Sequence, residues 1–149
     1  MMKHGILSSY GPLVARILLA AVFILAGIGK ITGFAGTVAY IDSTGLPLAS
    51  TLAVISIIVE IGAGVLIIIG WQGRMAAWAL FVFVGLANIF FHTNFSDQIQ
   101  MTMFLKNLAI MGGLLLVALG GTGACSIGCK CKGKYCLDCR IDGSQNNNE

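Results

Sequence analysis

The stretch LAVISIIVEIGAGVLIIIG, residues 52–70, decides the fold. A run of about 18 or more apolar residues, rising about 1.5 Å per residue as a helix, is long enough to cross a membrane. Its one ionisable residue, Glu60, lies near the middle, where a carboxylate costs about 2.5–3.5 kcal/mol to insert. We therefore expect Glu60 to face a protein interior and to meet a polar partner from another helix. Gly62, Ala63 and Gly64, directly after it, allow a neighbouring backbone to approach closely.

The composition of the whole chain supports a membrane protein. Of its 149 residues, 57% are hydrophobic and 10% are charged, and the mean hydropathy is +0.90. A soluble domain has about 25% charged residues, and this length is typical of one domain. The net charge of +3 is small, and no nucleic-acid-binding motif is present. We expect the lipid bilayer as a partner and exclude nucleic acid.

Three further apolar segments complete a bundle. The predicted spans are about 12–30, 51–70, 75–92 and 101–120, within a membrane domain of residues 12–121 that follows a short lead, residues 1–11. The first span also resembles the apolar core of a signal peptide behind a basic lead, but three later spans favour a retained helix. The segment between the first two spans is too polar to cross, and its Phe34, Val38 and Ile41 recur at helical spacing. They predict a short interfacial helix.

The distribution of Lys and Arg predicts the orientation. Of the nine such residues, two (Lys30 and Lys106) are expected at one end of the bundle, and the other seven lie on the side shared by the two termini. Cytoplasmic loops carry the excess of positive charge. The predicted topology therefore has both termini in the cytoplasm and four membrane passages.

The polar residues of the spans form the first candidate site. Lys30, Asn88, His92, Lys106 and Asn107 are expected toward the outer end, Glu60 nearer the middle of the membrane, and Arg16 in its inner third. A quinone headgroup needs hydrogen-bond donors and a titratable group at the edge of an apolar pocket. Such a ligand is one interpretation of this set. The other is that Glu60 pairs with Arg16 or Lys106 only to hold the helices together.

Arg16 and Lys30 share one helical face and have two interpretations of their own. Both side chains can extend from the ends of the first span to the membrane surfaces, or Arg16 can turn inward toward Glu60. Spacing alone leaves both open.

The cysteines form the second candidate site. All five lie in the predicted cytoplasmic tail, residues 122–149: Cys125, Cys129, Cys131, Cys136 and Cys139. Thiolates are soft ligands suited to copper, zinc or an iron–sulfur cluster, and neighbouring Lys residues favour the thiolate form. Thiol redox exchange, lipidation and an unliganded basic tail remain open as alternatives, whereas a cytoplasmic location disfavours structural disulfides.

Several pieces of the sequence, taken in order, resemble the DoxX family of small four-helix bacterial membrane proteins. These are RILLA (16–20) with GIGKITGF (27–34), GLP (45–47), VEIGAG (59–64), Arg74, Phe91-His92 and FLKNLAI (104–110). The resemblance covers residues 12–120 and implies a location in the bacterial inner membrane. Some relatives are subunits of thiosulfate:quinone oxidoreductases, and others resemble partners of thiol-handling enzymes. The family usually ends soon after the fourth helix, so the cysteine tail departs from its pattern.

Together these features predict an all-α membrane protein, a four-helix bundle with a short interfacial helix and a cysteine-rich tail. We expect an integral membrane subunit of a redox or thiol/metal-stress system rather than a self-sufficient enzyme. It would hold a quinone-like ligand in the bundle and a metal in the tail, with a soluble oxidoreductase or thiol-handling protein as partner. The alternative is a structural membrane anchor or assembly factor for such an oxidoreductase. Whether the chain forms a homo-oligomer is open.

Overall fold

The computed structural model describes residues 6–120, with side chains from residue 11 onward. This part of the chain contains five helices and their connections: α1 (Ile6–Thr32), α2 (Phe34–Ser43), α3 (Ala49–Ile69), α4 (Gly73–Phe91) and α5 (Gln98–Gly120). The lead up to residue 5 and the predicted cysteine tail lie outside the described residues.

Four of the helices are long and apolar enough to span a membrane, as the sequence predicts. The candidate spans are Gly11–Thr32, Ala49–Ile69, Gly73–Phe91 and Gln98–Gly120. Each predicted span agrees with one of them to within three residues at either end. An all-helical protein with four candidate membrane spans is therefore confirmed.

The four spans alternate in direction: a few residues join α3 to α4 and α4 to α5, and α2 with its flanking turns joins α1 to α3. α1 packs on α3, α3 on α4 and α4 on α5, with a smaller contact between α1 and α5. The end of α1, the start of α3, the end of α4 and the start of α5 thus lie at one end of the bundle. We call it the α2 end, because α2 packs there against α3. Ile41 of α2 is buried with Ala49 and Ala53 of α3, and the ring of Tyr40 stacks on Phe91 of α4 at 5.5 Å between centroids.

The connections on both sides of α3 need left-handed backbone. Gly70 (φ 76°) ends α3 and donates its N–H to the carbonyl of Leu66, a common way to end a helix. Leu48 (φ 57°) and Gln72 (φ 48°) precede α3 and α4 in the same conformation, which costs about 1–2 kcal/mol in a residue with a Cβ.

Among the described residues, alanines make up half of the buried core between the spans. The main core contains Ala20 of α1, Ala63 of α3, Ala76 and Ala77 of α4, and Ala118 of α5. Small residues let helix backbones approach closely, which is how membrane helices associate without a hydrophobic driving force. Other large apolar side chains are exposed along all four spans, Leu18, Ile58, Ile89 and Leu116 among them. That outward apolar surface is suited to lipid.

The predicted short helix after the first span is present as α2. Its location at a membrane surface, like the orientation of the termini, stays a prediction.

Candidate functional site

The buried face of α1 carries both of its basic residues. Arg16, Ala20, Phe23 and Gly27 follow one another at intervals of three or four, and Lys30 comes one turn later. Residues at such intervals share one side of a helix. Arg16 is 2% exposed, Ala20 is fully buried and Phe23 is 4% exposed. This stripe is the surface that α1 turns toward the rest of the bundle.

Gly27 allows α3 to come close enough for Lys30 to reach Glu60. A Cβ placed on Gly27 would lie 2.5 Å from Cγ1 of Ile61 and 3.6 Å from Cβ of Glu60. One turn farther along the same seam, a Cβ on Gly64 would lie 3.0 Å from Cγ1 of Ile24. Because both glycines lack a side chain, α1 and α3 are in close contact along the turn of α3 that follows Glu60.

The Lys30 ammonium binds both oxygens of the Glu60 carboxylate. The Nζ–Oε1 distance is 2.7 Å and the Nζ–Oε2 distance is 2.6 Å. The Glu60 side chain is 7% exposed, whereas that of Lys30 is 28% exposed. The carboxylate is thus enclosed between the helices and the ammonium covers it on the more open side.

The predicted partners of Glu60 were wrong. Arg16 is separated from Lys30 by fourteen positions, about 21 Å along a helix, so it belongs to the opposite part of α1. Lys106 is exposed on α5, and its Nζ lies 3.1 Å from Sδ of Met103. One of the two open interpretations had Lys30 extend to the membrane surface, but its ammonium lies against Glu60.

Two asparagines make a second polar contact, between α4 and α5. Asn107 donates its Nδ2–H to Oδ1 of Asn88 at 3.0 Å, and Asn88 donates its own Nδ2–H to the Phe104 carbonyl at 3.3 Å. Asn88 is 4% exposed. The sequence placed both residues in the polar set, and the structure brings them together.

His92 contacts Gln100, which is not among the site residues predicted from the sequence. Its Nδ1 lies 2.8 Å from Oε1 of Gln100, in a half-buried contact that joins the end of α4 to the start of α5. Arg74 was likewise noted only as a charge and a family match. Its Nε–H donates to the Ala118 carbonyl at 3.0 Å, which ties the start of α4 to the last turn of α5. The polarity of Gln100 was the only sequence signal for its role.

The seven predicted site residues therefore do not form one cluster. Lys30 pairs with Glu60 near the middle of α3, Asn88 pairs with Asn107 between α4 and α5, His92 pairs with Gln100, and Arg16 and Lys106 lie elsewhere. Residues 11–120 contain no group of three or more His, Cys, Asp or Glu able to hold a metal. All five predicted metal ligands, Cys125 to Cys139, lie outside the described residues.

Comparison with known proteins identifies the family. The chain matches the DoxX family over residues 11–93. It belongs to the DoxX family. Among its relatives in Escherichia coli strain K12, "Inner membrane protein YqjF" is 44% identical over 121 residues, which covers 81% of this chain and 92% of the relative. "Inner membrane protein YphA" is 36% identical over 121 residues, covering 77% and 86%. No solved structure matches the chain.

The family match includes the ion pair. Lys30, Glu60, Asn88 and His92 lie within residues 11–93, whereas α5 and the cysteines follow it. The resemblance that the sequence showed is confirmed, and this DoxX protein is an integral membrane protein whose relatives are inner membrane proteins.

Proposed function

We propose that this DoxX protein is a membrane subunit of a redox or thiol- and metal-handling system, and that its bundle receives a quinone-like ligand at the Lys30–Glu60 pair. In this proposal the subunit binds and orients the ligand, and a partner oxidoreductase supplies the electrons. The cysteine tail would hold a thiolate-bound metal.

The observation that carries the proposal is the unused donor of Lys30. An ammonium group has three N–H donors, and two of them satisfy the two oxygens of Glu60. Within residues 11–120, the Lys30 ammonium donates hydrogen bonds only to Glu60. Because the Lys30 side chain is 28% exposed, the third N–H is accessible to a ligand that approaches from the membrane.

The charge of the pair favours a neutral ligand. Glu60 compensates the positive charge of Lys30, so the site as a whole has little attraction for an anion. A carbonyl oxygen on an apolar ring needs one donor and an apolar surrounding, and a charged donor makes a stronger hydrogen bond than a neutral one. A quinone-like headgroup has these properties.

Titrating the purified protein with a quinone tests whether the bundle binds such a ligand. Replacing both members of the pair, as Lys30→Met with Glu60→Met, removes the donor without leaving a buried charge. A hydrogen bond to a charged group contributes about 1.5–3 kcal/mol, so we expect affinity for a ubiquinone analogue to fall about 10- to 100-fold. Ile58→Met, on the exposed face of α3, is the matched control and should bind normally. Equal affinity of the double variant and the control contradicts the proposal.

A truncated chain tests whether the cysteine tail binds a metal. Elemental analysis and thiol titration would compare the full-length protein with a chain that ends at Gly121. We expect copper, zinc or iron bound to the full chain and absent from the shorter one. Equal metal content in the two removes the tail from the proposal.

The second candidate is a structural anchor or assembly factor. It is favoured by the hydrogen bonds that the polar side chains of the bundle make to one another. Glu60 is bound by Lys30, and Asn88 is bound by Asn107, so the bundle is held together without a ligand. An anchor would still co-purify with its soluble oxidoreductase when Lys30 and Glu60 are both Met. If the partner stays bound and no quinone binds even to the unaltered chain, the anchor is the better description.

A further inference from the structure

Lys106 is an exposed, charged residue on a membrane span. It lies eight positions after Gln98, about 12 Å along α5, and is exposed. α5 is also the least buried of the four candidate spans. An ionisable side chain at such a position is costly unless it reaches water or an opposite charge.

The described residues do not neutralise Lys106. Its contact is with Sδ of Met103 at 3.1 Å, and a thioether is a weak acceptor. The carboxylate of Asp97, nine positions before Lys106, accepts the Ile99 N–H at 2.9 Å, at the start of α5. Glu60, the one carboxylate within the four described spans, is bound by Lys30. Within residues 11–120, Lys106 has no salt bridge.

The Lys106 side chain extends toward the α2 end of the bundle. Met103 precedes it by about one turn, so the ammonium lies over the turn nearer the start of α5, as helical side chains generally do. The polar residues Gln98 and Gln100 open the helix, and Lys106 follows the apolar Met101 by five positions, about 7.5 Å. A lysine side chain extended in this direction approaches the headgroup region of the bilayer.

We propose that Lys106 binds the phosphate of an anionic phospholipid in the leaflet at the α2 end. The ligand must carry a negative charge, because the described residues do not compensate the lysine charge, and it must lie toward the start of α5, because the side chain extends in that direction. Two copies of the chain that met symmetrically at this face would bring two Lys106 residues together, which is repulsive. The site is distinct from the Lys30–Glu60 pair, whose charge is balanced.

Native mass spectrometry of lipids retained by the full-length protein tests this proposal. The protein would be equilibrated in nanodiscs of phosphatidylethanolamine with phosphatidylglycerol, then released and weighed with its bound lipids. A lysine near an anionic surface contributes about 1 kcal/mol, which converts to about a fivefold preference. We expect phosphatidylglycerol to be retained about fivefold more by the unaltered chain than by Lys106→Met. Lys106→Arg should retain it like the unaltered chain.

Three outcomes would overturn the proposal. Equal retention by the unaltered chain and Lys106→Met means that the lysine does not select the lipid. Competition by free inorganic phosphate at millimolar concentration means that the site is a simple anion site. Loss of a protein partner rather than of lipid in Lys106→Met means that an acidic membrane helix covers this face.

Discussion

Replacing Gly27 by Ala tests how closely α1 and α3 are packed. The new Cβ would lie 2.5 Å from Cγ1 and 3.1 Å from Cδ1 of Ile61. Carbon atoms prefer about 3.5–4.0 Å, so one side must move by about 1 Å. Overpacking of this kind typically costs about 1–3 kcal/mol. Gly29 on the same helix has no atom within 4 Å of its ideal Cβ, so Gly29→Ala is the matched control.

The comparison of the two variants isolates the packing cost. Both gain the helix propensity of Ala over Gly, about 1 kcal/mol, so this gain cancels in their difference. We expect Gly27→Ala to be about 1–3 kcal/mol less stable than Gly29→Ala, measured by SDS titration in mixed micelles with helix content followed by circular dichroism. Adding Ile61→Ala to Gly27→Ala should cost less than the sum of the separate changes, because the clashing atoms are removed. Equal stability of the two glycine variants refutes the close contact.

Three further changes have defined outcomes. Asn107→Leu leaves Oδ1 of the buried Asn88 without its donor. The same SDS titration should show a loss of about 1–3 kcal/mol in stability, and a loss within experimental error would show that the α4–α5 contact is not formed. Leu48→Gly relieves the left-handed φ of 57° and should raise stability by up to about 1 kcal/mol; a lower thermal midpoint would contradict that conformation. Arg74→Leu removes the hydrogen bond to the Ala118 carbonyl, and faster amide exchange in the last turn of α5 should follow, while unchanged exchange would argue against it.

The spans could be predicted because they depend on length and hydropathy alone. Residues 52–70 read as one span, and α3 is Ala49–Ile69. The sequence also predicted that the small residues after Glu60 would allow close helix packing, although only two of the three face a neighbouring helix. Ala63 and Gly64 are buried, whereas a Cβ on Gly62 would meet nothing within 4 Å. Spacing shows that a helix can pack closely but not which of three adjacent positions faces the neighbour.

The partner of Glu60 could not be predicted from sequence. Lys30 lies near the end of its helix, where a lysine ordinarily extends to water, so its position left extension to the membrane surface as one open interpretation. What decides the pairing is the register of α1 against α3, fixed by the contacts of Gly27 and Gly64. Asn88 and Asn107 were recognised as polar members of the site. Their pairing depends on how the loop after His92 positions α5, which no local pattern specifies.

A double-mutant cycle measures whether Lys30 and Glu60 form an ion pair. Lys30→Met leaves an enclosed carboxylate alone and should cost about 3–5 kcal/mol. Glu60→Met should cost less, about 1–3 kcal/mol, because the 28% exposed lysine can turn outward. With both residues replaced by Met, stability should return to within about 1 kcal/mol of the unaltered chain. Two small and additive single effects would show that the two side chains do not form a pair.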